Sequence, residues 1–290
     1  MRQTERNHNW ISREYNDQKW QSVLRFLIEQ KKYNFNLSTF LNKFRIDLHE
    51  LQLPDSIFFN LDNSAKIDFL TKPTEVISLR RKIQLPHVIA WDTYDLGSAE
   101  LLKLFCPKDV DAIVELGSGF GLRLADLWLK SDNHNLPYYA FEYTENGRKS
   151  AELLGLLESD FDLRNCPFNY YKPDFKPLAS KYEHIYFVTH SSIEQIPQIP
   201  IDLLEAMTSV CKKITVSHLE PIGWQITQED DSEFKYGASK QYAETNDYNR
   251  NYWSLLSTFL IERNFSLNTV QKDILGIGRE NAVTFINWNT

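Results

Sequence analysis

Three glycines at alternate positions, Gly117, Gly119 and Gly121, follow a short apolar run that ends in an acid, Glu115. A segment with helical spacing comes directly after, with Leu122, Ala125 and Leu129 on one side. The pattern predicts a buried strand, a glycine turn and a helix over residues 111–128. Such a turn takes positive φ and lets a ligand lie against bare backbone, which glycine permits. Free N–H groups at the helix start favour polar or anionic ligand groups, so the chemistry implied is cofactor binding. Spacing separates the ligands. A dinucleotide loop, G-x-G-x-x-G, needs glycine where Leu122 stands. A P-loop needs a terminal Lys-Ser or Lys-Thr pair, which the stretch lacks. A nucleophile elbow fails because Ser118 directly follows the first glycine. E-x-G-x-G-x-G remains, and its plain alternative is a tight turn with no ligand.

A second acid sits where such a ligand would need one. Residues 136–141 (LPYYAF) read as the next strand, and Glu142 follows. A carboxylate at that strand tip can accept both hydroxyls of a ribose; the alternative is a solvated acid opening the next helix. The glycine loop and Glu142 together resemble motif I and the ribose acid of the class I S-adenosylmethionine-dependent methyltransferases. The resemblance implies that Glu115, Gly117, Ser118, Gly119, Gly121 and Glu142 hold S-adenosyl-L-methionine. Residues 168–171 (FNYY) read as a third strand, after which the family often meets adenine. Asp174 would then accept the exocyclic amine and Phe175 would stack on the ring, with an ordinary turn equally open.

Two further runs, residues 184–189 and 213–217, read as strands that deliver His190, His218 and Glu220 at their ends. In an open parallel sheet, ligands sit beyond the carboxyl ends of strands. The expected chemistry is in-line methyl transfer with no covalent intermediate, and a hydroxyl acceptor needs a base. His190 is the first choice for that base, followed by His218 and Glu220. For an amine acceptor, Glu220 would instead hold the cation. No H-x-x-x-H or cysteine pair supports a metal. Substrate contacts are expected by location from Trp91 and Tyr94, before motif I, and from Trp224, Tyr248 and Arg250 after the last histidine.

The chain has 290 residues and a net charge of −7, and it shows no long basic run, which disfavours a nucleic-acid substrate. Its three cysteines, Cys106, Cys166 and Cys211, are odd in number and widely spaced, which suggests a reducing compartment. With no apolar leader at the start and no membrane-length stretch, a cytoplasmic protein with no membrane partner is expected. A small-molecule, sugar or peptide acceptor is expected, to be methylated on oxygen or nitrogen, with a homodimer left open. The rival readings are a nicotinamide-dependent oxidoreductase, weakened by Leu122, and a catalytically silent fold member serving as an interaction subunit.

The elements that must position these residues follow from periodicity. Residues 11–30 and a segment from Ser38 to beyond Phe44 show helical spacing, and a helix is expected over residues 99–105, begun by Gly97-Ser98. Helices are also expected over 146–159 and 201–210, and from Asn246 or Asp247 onward, with Tyr248, Tyr252, Leu255, Leu256 and Phe259 on one stripe. Residues 225–245 read as a polar, mobile loop, and 266–274 with 282–288 as a closing strand pair. The fold class is α/β: a Rossmann-like, doubly wound, mostly parallel sheet with a C-terminal antiparallel hairpin and an N-terminal, mainly helical extension. Residues 1–95 are expected to form a helical cap and substrate region, and 96–290 the methyltransferase core.

Overall fold

The computed structural model describes residues 11–47, 68, 71–79, 81–132, 134–226, 236–277 and 282–290. An eight-residue π-helix, Ser12–Lys19, runs straight into α1 (Trp20–Gln30), followed by α2 (Leu37–Asp47). The apolar side of α1 is Val23, Phe26 and Leu27, whereas Ile28 is exposed. Asn36 caps α2, its side chain accepting from Thr39 N at 2.9 Å. The part of this helical segment expected beyond residue 47 lies outside the described residues.

A polar hairpin follows, β1 (Pro73–Ser78) and β2 (Arg81–Pro86), which periodicity did not reveal. Helix α3 (His87–Phe105) then runs unbroken through Gly97-Ser98, so those residues do not start a helix. It spans the expected boundary at residue 95. Next come β3 (Ala112–Leu116), α4 (Leu122–Lys130), β4 (Tyr138–Glu142) and α5 (Glu145–Gly155). Strand β5 is Leu163–Pro167, five residues earlier than the expected FNYY run. Strand β6 (His184–His190), α6 (Ile201–Ser209) and β7 (Lys213–Glu220) follow. A short α7 (Gly223–Ile226), α8 (Tyr236–Thr245) and α9 (Tyr252–Arg263) lead to β8 (Ser266–Ile277) and β9 (Val283–Asn289). The segment read as a loop therefore contains a helix, α8, while residues 227–235 lie outside the described part. Tyr248 precedes α9 instead of riding on it, because Asn249 Oδ1 accepts from Tyr252 N at 2.9 Å and starts the helix there.

Among the described residues, nine strands form one sheet in the order β2-β1-β8-β9-β7-β6-β3-β4-β5. Pairings among β3 to β7 are parallel, and those of β9, β8, β1 and β2 are antiparallel. This is the expected Rossmann-like sheet with its terminal hairpin and N-terminal helical region. Strand alternation sends Ile113 to one core and Ala112, Val114 and Leu116 to the other. The first core includes Phe26, Leu27, Phe40 and Phe44 of the N-terminal helices together with Leu124 and Tyr186. The second holds Leu203 and Leu204 of α6 and Leu256 and Phe259 of α9. Helices α1 and α2 thus complete one face of the sheet. Among the described residues, no helix is long and apolar enough to cross a membrane.

Candidate functional site

The strand order reverses between β3 and β6, and the loop after β3 therefore opens at the switch point where doubly wound sheets take ligands. Its glycines all adopt left-handed backbone, with φ of 69°, 55° and 85° at Gly117, Gly119 and Gly121. Two of them also face crowding that no Cβ would survive. A Cβ at Gly117 would lie 2.5 Å from Ser192 Cβ, and one at Gly119 2.5 Å from the Trp20 ring. Trp20 comes from α1, so the N-terminal helical segment lies directly on the glycine loop. Asn16 fastens it there, accepting from Asn146 N and, through its carbonyl, from Asn146 Nδ2, both at 2.9 Å.

Much of the loop's hydrogen-bonding capacity is used internally. Gly117 N and Ser118 N both donate to Phe141 O, and Gly119 N donates to Glu142 Oε2 at 2.8 Å. The other oxygen of Glu142 accepts from Thr144 N at 2.8 Å and Thr144 Oγ1 at 2.6 Å. Three of its roughly four lone-pair sites are therefore occupied, and the residue is only 5% exposed. Glu142 is not the open strand-tip acid of the sequence reading. It ties the glycine loop to the start of α5, with about one acceptor site left for a ligand. Glu142→Gln keeps the volume but sets an amide N–H against one of these donors. An unfolding free energy lower by about 1–3 kcal/mol is expected, the scale of one unsatisfied buried donor. An unchanged denaturation midpoint at constant m-value would show that the carboxylate does not hold the loop.

Two buried oxygens at the loop have no hydrogen-bond partner, Glu115 Oε2 and Ser118 Oγ. Burial pushes the Glu115 carboxyl up to about 8, with Arg123 working against the rise and Glu142 adding to it. Arg123 belongs to a buried quartet that spacing did not show: Arg45 of α2, Asp95 of α3, and Arg123 and Asp126 of α4. Arg45 pairs with Asp126 and Arg123 with Asp95; Arg45 Nε lies 3.8 Å from Asp95, and Arg123 Nη1 3.5 Å from Asp126. The i,i+3 spacing of Arg123 and Asp126 was visible, but their partners on α2 and α3 are remote in the chain.

The three residues expected to converge as catalytic groups do not. His190 ends β6 on the face of α3, half-buried, with Nε2 3.2 Å from Ser98 Oγ and the Tyr94 ring centroid 5.4 Å away. Ser98 donates its own proton to Tyr94 O at 2.7 Å, so the His190 contact places a proton on Nε2 and leaves Nδ1 basic. Burial, then Arg123, hold this imidazole well below its ordinary value, so it is neutral. His218 lies on the opposite face, inside the second core. Trp288 Nε1 donates to its Nε2 at 3.0 Å, Tyr252 OH stands 2.6 Å from Nε2, and Thr189 Oγ1 is 2.9 Å from Nδ1. Burial lowers His218 to about 3. Both its nitrogens are occupied, and it is a core residue.

Glu220 is likewise interior. Strand β7 does not end at Ser217, because antiparallel pairing with β9 carries it to Glu220 opposite Thr284. The Glu220 carboxylate accepts from Ser192 N and Glu194 N at 3.1 and 3.2 Å, which caps the 3-10 turn Ile193–Gln195. Burial raises it to about 7. The adenine expectation also shifts. Phe175 is a core residue packed on Phe141, Phe168 and Phe187, and Asp174 is exposed beside Lys176 at 3.4 Å. The early end of β5 at Pro167 moves both away from a strand tip.

Of the expected substrate residues, Tyr94 and Trp91 meet edge-on at 6.0 Å on α3, and Tyr94 OH reaches Ser191 Oγ at 3.3 Å. Trp224 is half-buried on α7, and Arg250 is exposed and paired with Asp247. Tyr248 stands instead near Glu194, a buried acid that the sequence reading did not single out.

No protein-family model matches the sequence, and comparison with curated proteins finds no match. Solved structures of S-adenosylmethionine-dependent methyltransferases do align with it in fold. One is a SAM-dependent methyltransferase from Aquifex aeolicus, 15% identical over 68% of this chain and 92% of that one, with a TM-score of 0.43. Another is the plantazolicin methyltransferase BpumL in complex with SAH, 13% identical over 69% and 83%, at 0.42. A cyclopropane-fatty-acyl-phospholipid synthase-like protein from Lactobacillus casei aligns over 70% and 92% at 13% identity and 0.46.

Proposed function

We propose that the chain binds S-adenosyl-L-methionine at the glycine loop and transfers its methyl group to a small-molecule or peptide acceptor. One observation carries the reading: three left-handed glycines lie at the strand-order reversal, beside a buried acid from the adjacent strand. The unpartnered Glu115 Oε2 and Ser118 Oγ, and the remaining acceptor site of Glu142, are the groups that would hold the cofactor's polar parts. When bound, that cofactor supplies a methyl group on a sulfonium. The chain's part is to align the acceptor, exclude water and take up a proton where the acceptor is a hydroxyl. His190, neutral with Nδ1 as its basic atom, is the residue proposed for that proton, and Trp20 covers the loop against water. His218 and Glu220 have no place in this scheme.

A second reading has support of its own. The space before Gly117 and Gly119 is filled by Ser192, Tyr170 and Trp20 of the same chain, as in a fold member that no longer takes a cofactor. Calorimetric titration with S-adenosylhomocysteine and with NAD separates the readings. The expected result is binding of S-adenosylhomocysteine, with NAD far weaker. Tighter NAD binding overturns the proposal, and no binding of either favours the silent fold member.

A further inference from the structure

Beyond the glycine loop, three segments remote in sequence meet at Glu194. The residue follows β6 and is 9% exposed. Its Oε1 accepts from Gln195 Nε2 at 3.0 Å, and its Oε2 has no partner. Asn249 N donates to Glu194 O at 2.8 Å, which brings the turn before α9 alongside. Tyr248 of that turn meets Tyr242 of α8 edge-on at 5.7 Å. From the N-terminal π-helix come Tyr15 and Lys19. Burial raises the Tyr15 and Tyr248 phenols, and the Glu194 charge is the next contribution to each. Lys19 Nζ stands 4.5 Å from the Tyr15 ring centroid, and Glu14 and Glu194 both favour its charge against burial.

Once ionised, Glu194 is an acceptor-only carboxylate with a spare oxygen beside phenol rings, the chemistry that recognises an alkylammonium group. Burial and the Glu220 charge raise the carboxyl to about 8, and a cation seated there lowers that value. The place already holds one. Among the described residues Lys19 makes no ion pair within 4.0 Å, so its ammonium leans on the Tyr15 ring without locking onto Glu194. Glu194 is also two residues from Ser192, which packs on Gly117, so the place adjoins the glycine loop. We propose that Glu194, Tyr15 and Tyr248 form a recognition site for an alkylammonium group of the acceptor, and that Lys19 occupies it from within as a displaceable stand-in. The proposal rests on the methyltransferase reading only in calling the bound molecule an acceptor.

The test uses n-butylammonium, which copies a lysine side chain, and 1-butanol, its neutral counterpart, titrated into the full chain at a pH above the Glu194 value of about 8. Lys19→Met is expected to bind n-butylammonium at least tenfold more tightly than the wild type and 1-butanol at least tenfold more weakly than the cation. In the Lys19→Met background, Glu194→Gln and Tyr15→Leu are each expected to weaken n-butylammonium binding at least tenfold. Melting curves establish folding, and should one double variant not fold, the other carries the comparison. Equal binding of cation and alcohol, no gain from Lys19→Met, or no loss from the folded double variants overturns the site. The S-adenosylhomocysteine titration fails separately: cation binding without it leaves the ammonium site standing, and the reverse leaves only the methyltransferase reading.

Discussion

Replacing Asp126 with alanine is expected to lower the unfolding free energy by about 3–5 kcal/mol, the cost of leaving a buried charge uncompensated. Asp126 is 3% exposed and pairs with Arg45 and Arg123, while Asp95 pairs with the same two guanidiniums. Two positive and two negative groups balance. Removing one carboxylate leaves two guanidiniums sharing the other, in a place where these side chains are no more than 10% exposed. Burial works against the Arg123 charge, yet Asp95 and Asp126 outweigh it, so the cation cannot escape by losing its proton. The effect should fall on the contact of α2 with α3 and α4, because these are the elements the quartet joins. Asp126→Asn separates charge from shape, and a loss nearly as large as for alanine identifies charge as the cause. Urea unfolding at constant m-value measures both. A loss below about 1 kcal/mol, the scale of an exposed ion pair, would show that the quartet is not a buried network.

The ligand-free protein is expected to lose stability between pH 6.5 and 8. Burial raises Glu115 and Glu194 to about 8, with the Glu220 charge adding to Glu194 and Arg123 opposing the rise at Glu115. In the unfolded chain such carboxyls titrate near 4.3, so across this interval they are ionised while the folded groups still hold protons. The folded state binds more protons, and stability therefore falls as pH rises through the folded values. Each group contributes a loss of about 2 kcal/mol over those 1.5 units, at about 1.4 kcal/mol per unit per proton. His190 and His218 act in the other direction. They are held neutral in the fold, His218 at about 3, so their contribution is present above the unfolded histidine value and is lost in acid. Above pH 6.5 little of that opposing effect remains. Melting temperatures at pH 6.5 and 8 in the same ionic strength check the sign, and Glu115→Gln should flatten the slope. A melting temperature that holds or rises over the interval contradicts the assigned protonation.

The residues alone determined the glycine loop, its strand and its helix, because positive φ is a local demand that glycine meets at each place. The buried parallel strands were also legible, as unbroken apolar runs such as Ile113-Val114 and Ile185-Tyr186-Phe187. Where strands lie at the sheet edge the signal failed: β5 (LRNCP) and β2 (RKIQLP) are half-exposed and polar, while the buried Phe168 and Tyr170 of FNYY lie past the end of β5. Gly97 did not break α3, since the bare backbone there admits Leu275, whose Cδ1 would lie 3.1 Å from a Cβ. Pairings over long distances were beyond reach. Arg45 meets Asp126 across 81 positions, and β9 extends β7 past Ser217. Tertiary structure alone decided that the two histidines are not partners. In the β6–β7 register Thr189 stands opposite His218 and His190 opposite Leu219. Paired residues share a face and successive ones alternate, so that one position turns His190 toward α3 and His218 into the opposite core.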